Sequence, residues 1–355
     1  MRAIVIDRYG SAEQLRLADD VPMPDVADNQ VLVRVRAAGV NPLDWRVRAG
    51  ELRAFSGSRF PIILGCDIAG DVVRCGSKVT RFREGDSVYG FMDANRRRAW
   101  SRYCRSGAYA EYACTREDTL ATKPAQLNYE QAAALPLAAL TALQVVRDRA
   151  RLRAGQRILI IGASGGVGSL AVQLALARGA EVTGVCGATH LELLRGMNVA
   201  RAIDYRTTDL RVLPERFDVI YDVAIKSSFS ELKHLLSPTG VFVSNMVTFS
   251  SMLGTLVAWI TASRIPRKSH THAWVQPSGD DLRQISAMVE AGTLRPVIGG
   301  TFELEDVARA HQLLEHDSVP GKLVIRIDAS TPRALAATAS THSSASEAEQ
   351  GGSPA

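Results

Sequence analysis

The sequence predicts an α/β protein: a mostly-β N-terminal domain followed by a domain built on a doubly wound parallel sheet. Three observations predict it. Up to about residue 123, apolar and polar residues alternate between turn-forming glycines and prolines, the period of half-buried strands. From about residue 124, short apolar runs alternate with helical stretches, the pattern of a parallel sheet covered on both faces. A glycine loop, Gly162-Ala-Ser-Gly-Gly-Val-Gly168, follows one such strand and opens a helix.

Composition bounds the function. The chain has 355 residues, enough for two domains with cores of their own, and its 46% hydrophobic and 22% charged residues are globular values. The net charge is +5, and the densest basic run, Arg96-Arg97-Arg98, has no interleaved aromatics on which bases could stack. It reads as a solvated loop, so no nucleic-acid partner is expected. The five cysteines (Cys66, Cys75, Cys104, Cys114, Cys186) are odd in number, widely spaced and never C-x-x-C, which points to a reducing compartment. The N-terminus lacks a secretory signal, and no run reaches the ~18 apolar residues of a membrane span. The nearest, residues 252–260, reads as a buried or interface helix. A cytoplasmic protein with no membrane partner is expected.

Along the chain, residues 31–36 alternate as a strand, with turn residues at Gly39, Asn41-Pro42, Gly65, Gly70, Gly76 and Gly85-Asp86. Residues 129–149 are Ala/Leu-rich and predict one helix. Strands are expected at 157–161, 181–185, 202–204, 217–222 and 240–244, with helices at 167–178 and 188–195 between them. After about residue 266 the texture changes: helix at 280–290, extended chain at 295–302, helix at 304–314, strand at 322–327. The Ala/Ser/Thr-rich stretch 329–355 has no apolar period and is expected to be a disordered tail.

The loop is where chemistry first shows. Gly162, Gly165 and Gly168 permit the tight turn, and together with Ser164, Gly166 and Val167 they bring backbone N–H groups to a pyrophosphate at a helix N-terminus. A site for NAD places an acid at the end of the second strand, ~20 residues on. Here that segment is Val185-Cys-Gly-Ala-Thr-His190. No carboxylate would repel a 2′-phosphate, so NADPH is the expected cofactor. Cys186 lies at this strand end, and His190, Tyr205 and Arg206 are candidate phosphate partners. His190 is equally a solvent-exposed helix residue.

Ordered matches over residues 1–327 then carry a resemblance. They are Ala38-Gly-Val-Asn-Pro-Leu-Asp44, Pro61-Ile-Ile-Leu-Gly-Cys-Asp-Ile-Ala-Gly70, Gly85-Asp-Ser-Val-Tyr-Gly90, Gly107-Ala-Tyr-Ala-Glu-Tyr112, Ala134-Leu-Pro-Leu-Ala-Ala-Leu-Thr-Ala142, the glycine loop, Ile203-Asp-Tyr205 and Gly321-Lys-Leu-Val324. The chain resembles the medium-chain dehydrogenase/reductase superfamily, within it the zinc-independent quinone oxidoreductase (zeta-crystallin-like) branch. The resemblance implies a GroES-like domain over 1–123, a Rossmann domain over 124–266, and a return segment, 267–328, that completes the first domain.

Zinc members hold metal at positions matched here by Asn41, Cys66-Asp67 and Leu137. A leucine offers no ligand atom and a carboxamide a poor one, and the four cysteines of the structural zinc lobe are missing, so no metal is expected. The implied reaction is hydride transfer from NADPH to a small electrophilic acceptor, a quinone or an α,β-unsaturated carbonyl. In that reading Asn41 donates to the acceptor oxygen, although it is also a turn former. Asp44 orders the loop, with a base as the alternative, and Thr141 matches a position near the nicotinamide, although by composition it is an ordinary helix residue. Trp45, Leu52, Phe55, Tyr89 and the 246–275 segment line the pocket. Related enoyl thioester reductases carry a proton-donating Tyr where this chain reads Ala49-Gly-Glu-Leu52. Solvent can supply the proton, and Tyr89 is either a substitute donor or a packing residue. His270 and His272 read as a flexible surface loop, with a metal pair or a cofactor-contacting loop as the alternatives. The other functions considered are a pathway-specific reductase of a natural-product or acyl intermediate, and a non-catalytic NADPH-binding protein. A homodimer is implied by resemblance, through sheet edges near 240–260.

Overall fold

The first domain is formed by β1 (Ala3–Ile6), β2 (Arg16–Ala18), β3 (Gln30–Val40), β4 (Ile62–Ile63), β5 (Asp67–Cys75), β6 (Ser87–Phe91), β7 (Tyr112–Arg116) and β8 (Leu120–Thr122). The second contains β9 (Arg157–Ile161), β10 (Glu181–Cys186), β11 (Arg201–Asp204), β12 (Phe217–Asp222), β13 (Leu236–Ser244) and β14 (Ser269–His272). The chain then closes with β15 (Ile298–Glu303) and β16 (Lys322–Arg326). These elements are seen in a computed structural model that describes residues 1–56, 59–92, 107–245 and 268–327, with the backbone only at 54 and 55. The Arg96–Arg98 run, Cys104, the apolar stretch 252–260 and the 329–355 tail lie outside the described residues.

Strand β3 shows how the first domain meets the second. Arg34 and Arg36 are half-buried between the buried Val33, Val35 and Ala37. From Ala37 to Val40 every residue is buried, because that end of the strand is covered on both faces. It is the central strand of the sheet β15-β16-β3-β5-β6-β8, with β7 pairing its other end, so the return segment does join the N-terminal sheet. A small sheet, β2-β1-β4, flanks it.

The second sheet is parallel throughout, in the order β11-β10-β9-β12-β13-β14. The order reverses between β9 and β12, and ligands of such sheets bind at the strand C-termini beside that switch point. The helix Gly166–Ala177 buries Leu170, Ala171, Val172, Leu174 and Ala175 against it, each leucine contributing roughly 2 kcal/mol by removal from water.

Three expectations are corrected. The helix expected over 129–149 is two helices, Tyr129–Ala133 and Pro136–Gln144, with a π-helical turn over Val145–Arg149. Pro136 has no N–H to continue the first helix and serves instead as the first residue of the second. His270 and His272 do not lie in a surface loop. They belong to β14, where His270 stacks on Phe229 with ring centroids 5.5 Å apart. Because β14 pairs with β13, residues 240–244 are not a sheet edge; among the described residues the outermost strands of this sheet are β11 and β14.

Candidate active site

At the end of β3 the chain turns into the helix Pro42–Arg48. Asp44, three residues past Asn41, accepts from the Asn41 backbone N–H at 2.8 Å and so fixes the helix start. The Asn41 carboxamide reaches across to β5, where Nδ2 lies 2.9 Å from Asp67 Oδ2 and 3.6 Å from Cys66 Sγ. Leu137 joins the cluster through its backbone N–H, which donates to Asp67 Oδ1 at 2.8 Å. The positions matched to zinc ligands thus stand together.

The cation among them comes from β16. The Lys322 ammonium donates to Val40 O at 2.9 Å, to Asn41 Oδ1, and to Asp67 Oδ2 at 3.3 Å. Lys322, Asn41 and Asp67 are all buried, and this pair lets a carboxylate survive where burial alone pushes its pKa up. A metal ion at this spot would have to displace an ammonium. Among the described residues, no group of three His, Cys, Asp or Glu side chains is arranged to hold one.

A second chain of buried groups holds Asp44. Arg48 Nη1 stands 3.5 Å from His311 Nδ1, and a guanidinium only donates. His311 therefore carries its proton on Nε2 and donates to Tyr109 Oη at 3.2 Å, and the Tyr109 hydroxyl donates to Asp44 Oδ2 at 3.0 Å. Burial, with the Arg48 charge beside it, lowers the His311 pKa to about 3, so the ring is neutral. Burial raises the Asp44 pKa to about 7 despite these donors, with Asp67 adding to the rise and Lys322 opposing it. The Cys66 thiol, 3.7 Å from Asp44 Oδ1, is pushed up by the same burial.

The glycine loop sits directly against this cluster. Gly321 N donates to Ser164 O at 2.8 Å, and Gly165 bridges Gly321. Gly162 has φ +82°, and a Cβ on Gly168 would lie 2.0 Å from Gly162 O. Gly165 is the N-cap of the helix Gly166–Ala177 and no side chain caps it, so the first N–H groups of that helix, including Val167 and Gly168, remain for an anion. A Cβ at Gly165 would meet only Gly162 O, at 3.6 Å. That open cradle fits a pyrophosphate.

At the far end of the loop, Ser164 Oγ lies 3.3 Å from His190 Nδ1. Tyr205, 49% exposed, stands over Gly187, and the Arg206 guanidinium lies 5.7 Å from its ring centroid. The expected phosphate partners therefore flank one strand end. Two details differ from expectation. The Cys186 side chain is buried at the strand end, and burial raises its pKa to about 11, so its thiol is neutral. A carboxylate does stand one strand over, at Asp204, where it accepts from the Arg206 backbone N–H at 3.0 Å.

Of the expected pocket residues, Tyr89 is corrected. It is fully buried, and its hydroxyl donates to Leu282 O at 2.8 Å and lies 3.0 Å from Ser286 Oγ, in the packing between the domains. Thr141 is buried and donates to Leu137 O at 2.7 Å. Trp45 is half-buried with the Arg46 guanidinium 5.4 Å from its ring centroid, and Leu52 packs on the N-terminal core. The Phe55 side chain and residues 246–267 of the expected pocket lie outside the described residues. Sequence reasoning missed Lys322, Asp67 as its counter-ion, Tyr109 and His311. The one signal was a lysine at the head of an otherwise apolar strand, Lys322-Leu-Val-Ile.

Fold and site together define a medium-chain dehydrogenase/reductase. Residues 27–125 match the family described as alcohol dehydrogenase GroES-like domain, and residues 197–325 the family described as zinc-binding dehydrogenase. The chain is 33% identical over 329 residues to a 2-methylene-furan-3-one reductase of Solanum lycopersicum, covering 92% of this chain and 79% of that protein. The same identity and coverage relate it to an NADPH-dependent alkenal/one oxidoreductase, chloroplastic, of Arabidopsis thaliana. Among solved structures it is similar to the quinone oxidoreductase from Coxiella burnetii, with TM-score 0.82, 32% identity, and 92% and 99% of the two chains covered. The chain belongs to the medium-chain dehydrogenase/reductase superfamily, in its quinone and alkenal oxidoreductase branch.

Proposed function

We propose that this protein is an NADPH-dependent reductase of small electrophilic acceptors, α,β-unsaturated carbonyls and quinones, working without a metal ion. One observation carries the reading: Asn41 and Asp67, at positions matched to zinc ligands, form a carboxamide–ammonium–carboxylate cluster with Lys322, and it abuts an uncapped glycine loop. The names of the tomato, Arabidopsis and Coxiella proteins support the acceptor class and the cofactor.

Gly162, Ser164 to Gly168, His190, Tyr205 and Arg206 hold the dinucleotide in this reading. NADPH, when bound, supplies a hydride. The protein's part is to bind the acceptor, exclude water and stabilise the negative charge that develops on its oxygen. Asn41 does this through Nδ2–H. Being buried, it works in a low-dielectric setting, where a fixed donor is worth more than in water. Asp44 keeps the Asn41 turn in place, Thr141 borders the nicotinamide, Trp45 and Leu52 flank the acceptor, and the proton that completes the reduction comes from solvent.

The test is NADPH consumption with a panel of enones and quinones, in the protein and in Asn41→Ala. Turnover of an activated acceptor, with kcat lowered roughly 100-fold by Asn41→Ala, is expected. Tight NADPH binding with no turnover of any acceptor would instead make the chain a non-catalytic NADPH-binding protein. A cytoplasmic location is supported by the absence of disulfides among the described cysteines. A homodimer joined along the β14 edge is the assembly we expect, and sedimentation velocity tests it.

A further inference from the structure

We propose that Lys322 is a positioning residue for the reaction: by donating to Asn41 Oδ1 it fixes which way the carboxamide faces and strengthens the Nδ2–H offered to the acceptor. This rests on the reading of Asn41 as the acceptor's hydrogen-bond donor.

The oxygen and nitrogen of a carboxamide have nearly the same size, so only neighbours decide how it points. Asn41 has a cation on one side and a carboxylate on the other. Lys322 Nζ can only donate, so Oδ1 must face it, and Asp67 Oδ2 takes one Nδ2–H at 2.9 Å. A flipped amide would set N–H against ammonium and C=O against carboxylate. The ammonium's own three donors are all used, on Val40 O, Asn41 Oδ1 and Asp67 Oδ2. Lys322 is therefore held as firmly as it holds Asn41.

The remaining Nδ2–H has only Cys66 Sγ, at 3.6 Å, as a partner. Sulfur is a weak acceptor, so a carbonyl oxygen arriving at that hydrogen displaces little. A cation at Oδ1 draws electron density from the amide and makes that N–H the stronger donor, as in any polarised chain of hydrogen bonds. The same residue also sets the register with the cofactor loop. Its stem lies over Gly166, where a Cβ would come within 2.7 Å of Lys322 Cδ, and its neighbour Gly321 is bonded to Ser164 O. The Asn41 donor and the pyrophosphate cradle are thus referenced to one backbone segment.

The experiment removes the ion pair as a unit, because Lys322→Met alone would strand a buried Asp67. Wild type, Lys322→Met/Asp67→Asn, Asn41→Ala and the triple variant are compared with one enone. Expected for the Lys322→Met/Asp67→Asn protein are kcat lowered about 10- to 100-fold, with acceptor KM and NADPH Kd within about threefold. Adding Asn41→Ala to it should cost no more than about a further threefold, since both changes remove the same donor. In the cofactor-free protein, the side-chain amide resonances of Asn41, assigned by their loss in Asn41→Ala, should shift on removal of Lys322. Should the paired variant melt below the assay temperature, Lys322→Gln/Asp67→Asn, which keeps a neutral donor and strands no charge, is expected to lower kcat about fivefold under the same criteria. Retention of kcat within twofold, unmoved Asn41 resonances, or fully multiplicative losses would overturn the proposal while leaving the Asn41 reading intact. An Asn41→Ala protein with undiminished kcat would remove that reading, and this one with it.

Discussion

Asp44 is a carboxyl kept from water, and its titration should be visible in stability. Burial raises its pKa from the ordinary carboxyl value near 3.8 to about 7. Between those values the folded protein holds a proton that the unfolded chain has released, so stability falls as pH rises from about 4 to about 7 and then levels off. Asp44→Asn keeps an acceptor for the Asn41 N–H and does not titrate. Urea midpoints at pH 5 and pH 8 should show wild type losing stability relative to Asp44→Asn; parallel behaviour would mean the carboxyl is ionised throughout. Arg206 offers a second residue-level test. Its guanidinium lies 5.7 Å from the ring centroid of the exposed Tyr205, and in the proposed reading it meets the 2′-phosphate. Arg206→Ala should weaken NADPH roughly 10-fold and leave NADH binding nearly unchanged, by loss of a charge-assisted contact. The residues of this site were unequally legible in the sequence. Asn41, Cys66, Asp67 and Leu137 could be brought together because each sits in a recognisable segment. Lys322 also sits in a recognisable segment, Gly321-Lys-Leu-Val324, but that segment matches no zinc ligand, and nothing local ties it to partners 255 residues and more away.

The glycine loop shows what one element can and cannot reveal by pattern alone. Its strand, turn and helix were readable because each step has a local cause: an apolar run, glycines where φ is positive or space is short, and an Ala/Leu-rich helix. What the pattern did not separate is which glycine serves the fold and which the ligand. The structure makes that division. At Gly168 a methyl would lie 2.0 Å from Gly162 O, a contact with backbone that nothing can relieve, whereas at Gly165 it would meet the same oxygen at an ordinary 3.6 Å. Gly168→Ala should therefore lower the melting temperature of the cofactor-free protein by several degrees, from a loss of about 2–3 kcal/mol. Gly165→Ala should melt within about a degree of wild type and yet weaken NADPH, because the added methyl occupies the approach to the helix N-terminus. Equal thermal effects would sink this division. The helix over 129–149 was misread for the opposite reason. Composition favoured one helix throughout, and a single missing N–H at Pro136 overrode it.

At the scale of the whole molecule, the two domains are tied by a helix that belongs to neither sheet. The helix Gly279–Glu290 lies so close to the end of the first domain that a Cβ on Gly279 would come within 2.3 Å of Leu120 O. On its other side Asp281 pairs with Arg147 and accepts from Gln144, both in the second domain. Tyr89 is a fully buried tie of this kind. In the sequence it stood as either a packing residue or a substitute proton donor, since a tyrosine in Gly85-Asp-Ser-Val-Tyr-Gly90 carries no mark of whether it faces a cleft or a helix 193 residues away. The structure places its hydroxyl on Leu282 O and Ser286 Oγ, and burial holds its pKa far above the range of a useful acid. Tyr89→Phe keeps the ring and removes only those bonds. Leu282 O lies within a helix that already offers it a backbone donor, so the loss should be near the low end for a buried hydrogen bond, about 1 kcal/mol in urea unfolding. kcat with an enone should be unchanged, and so should its pH profile. A kcat lowered 10-fold or more at unchanged stability would return Tyr89 to the chemistry; a lost kilocalorie at full activity places it in the seam that holds the cofactor domain against Asn41.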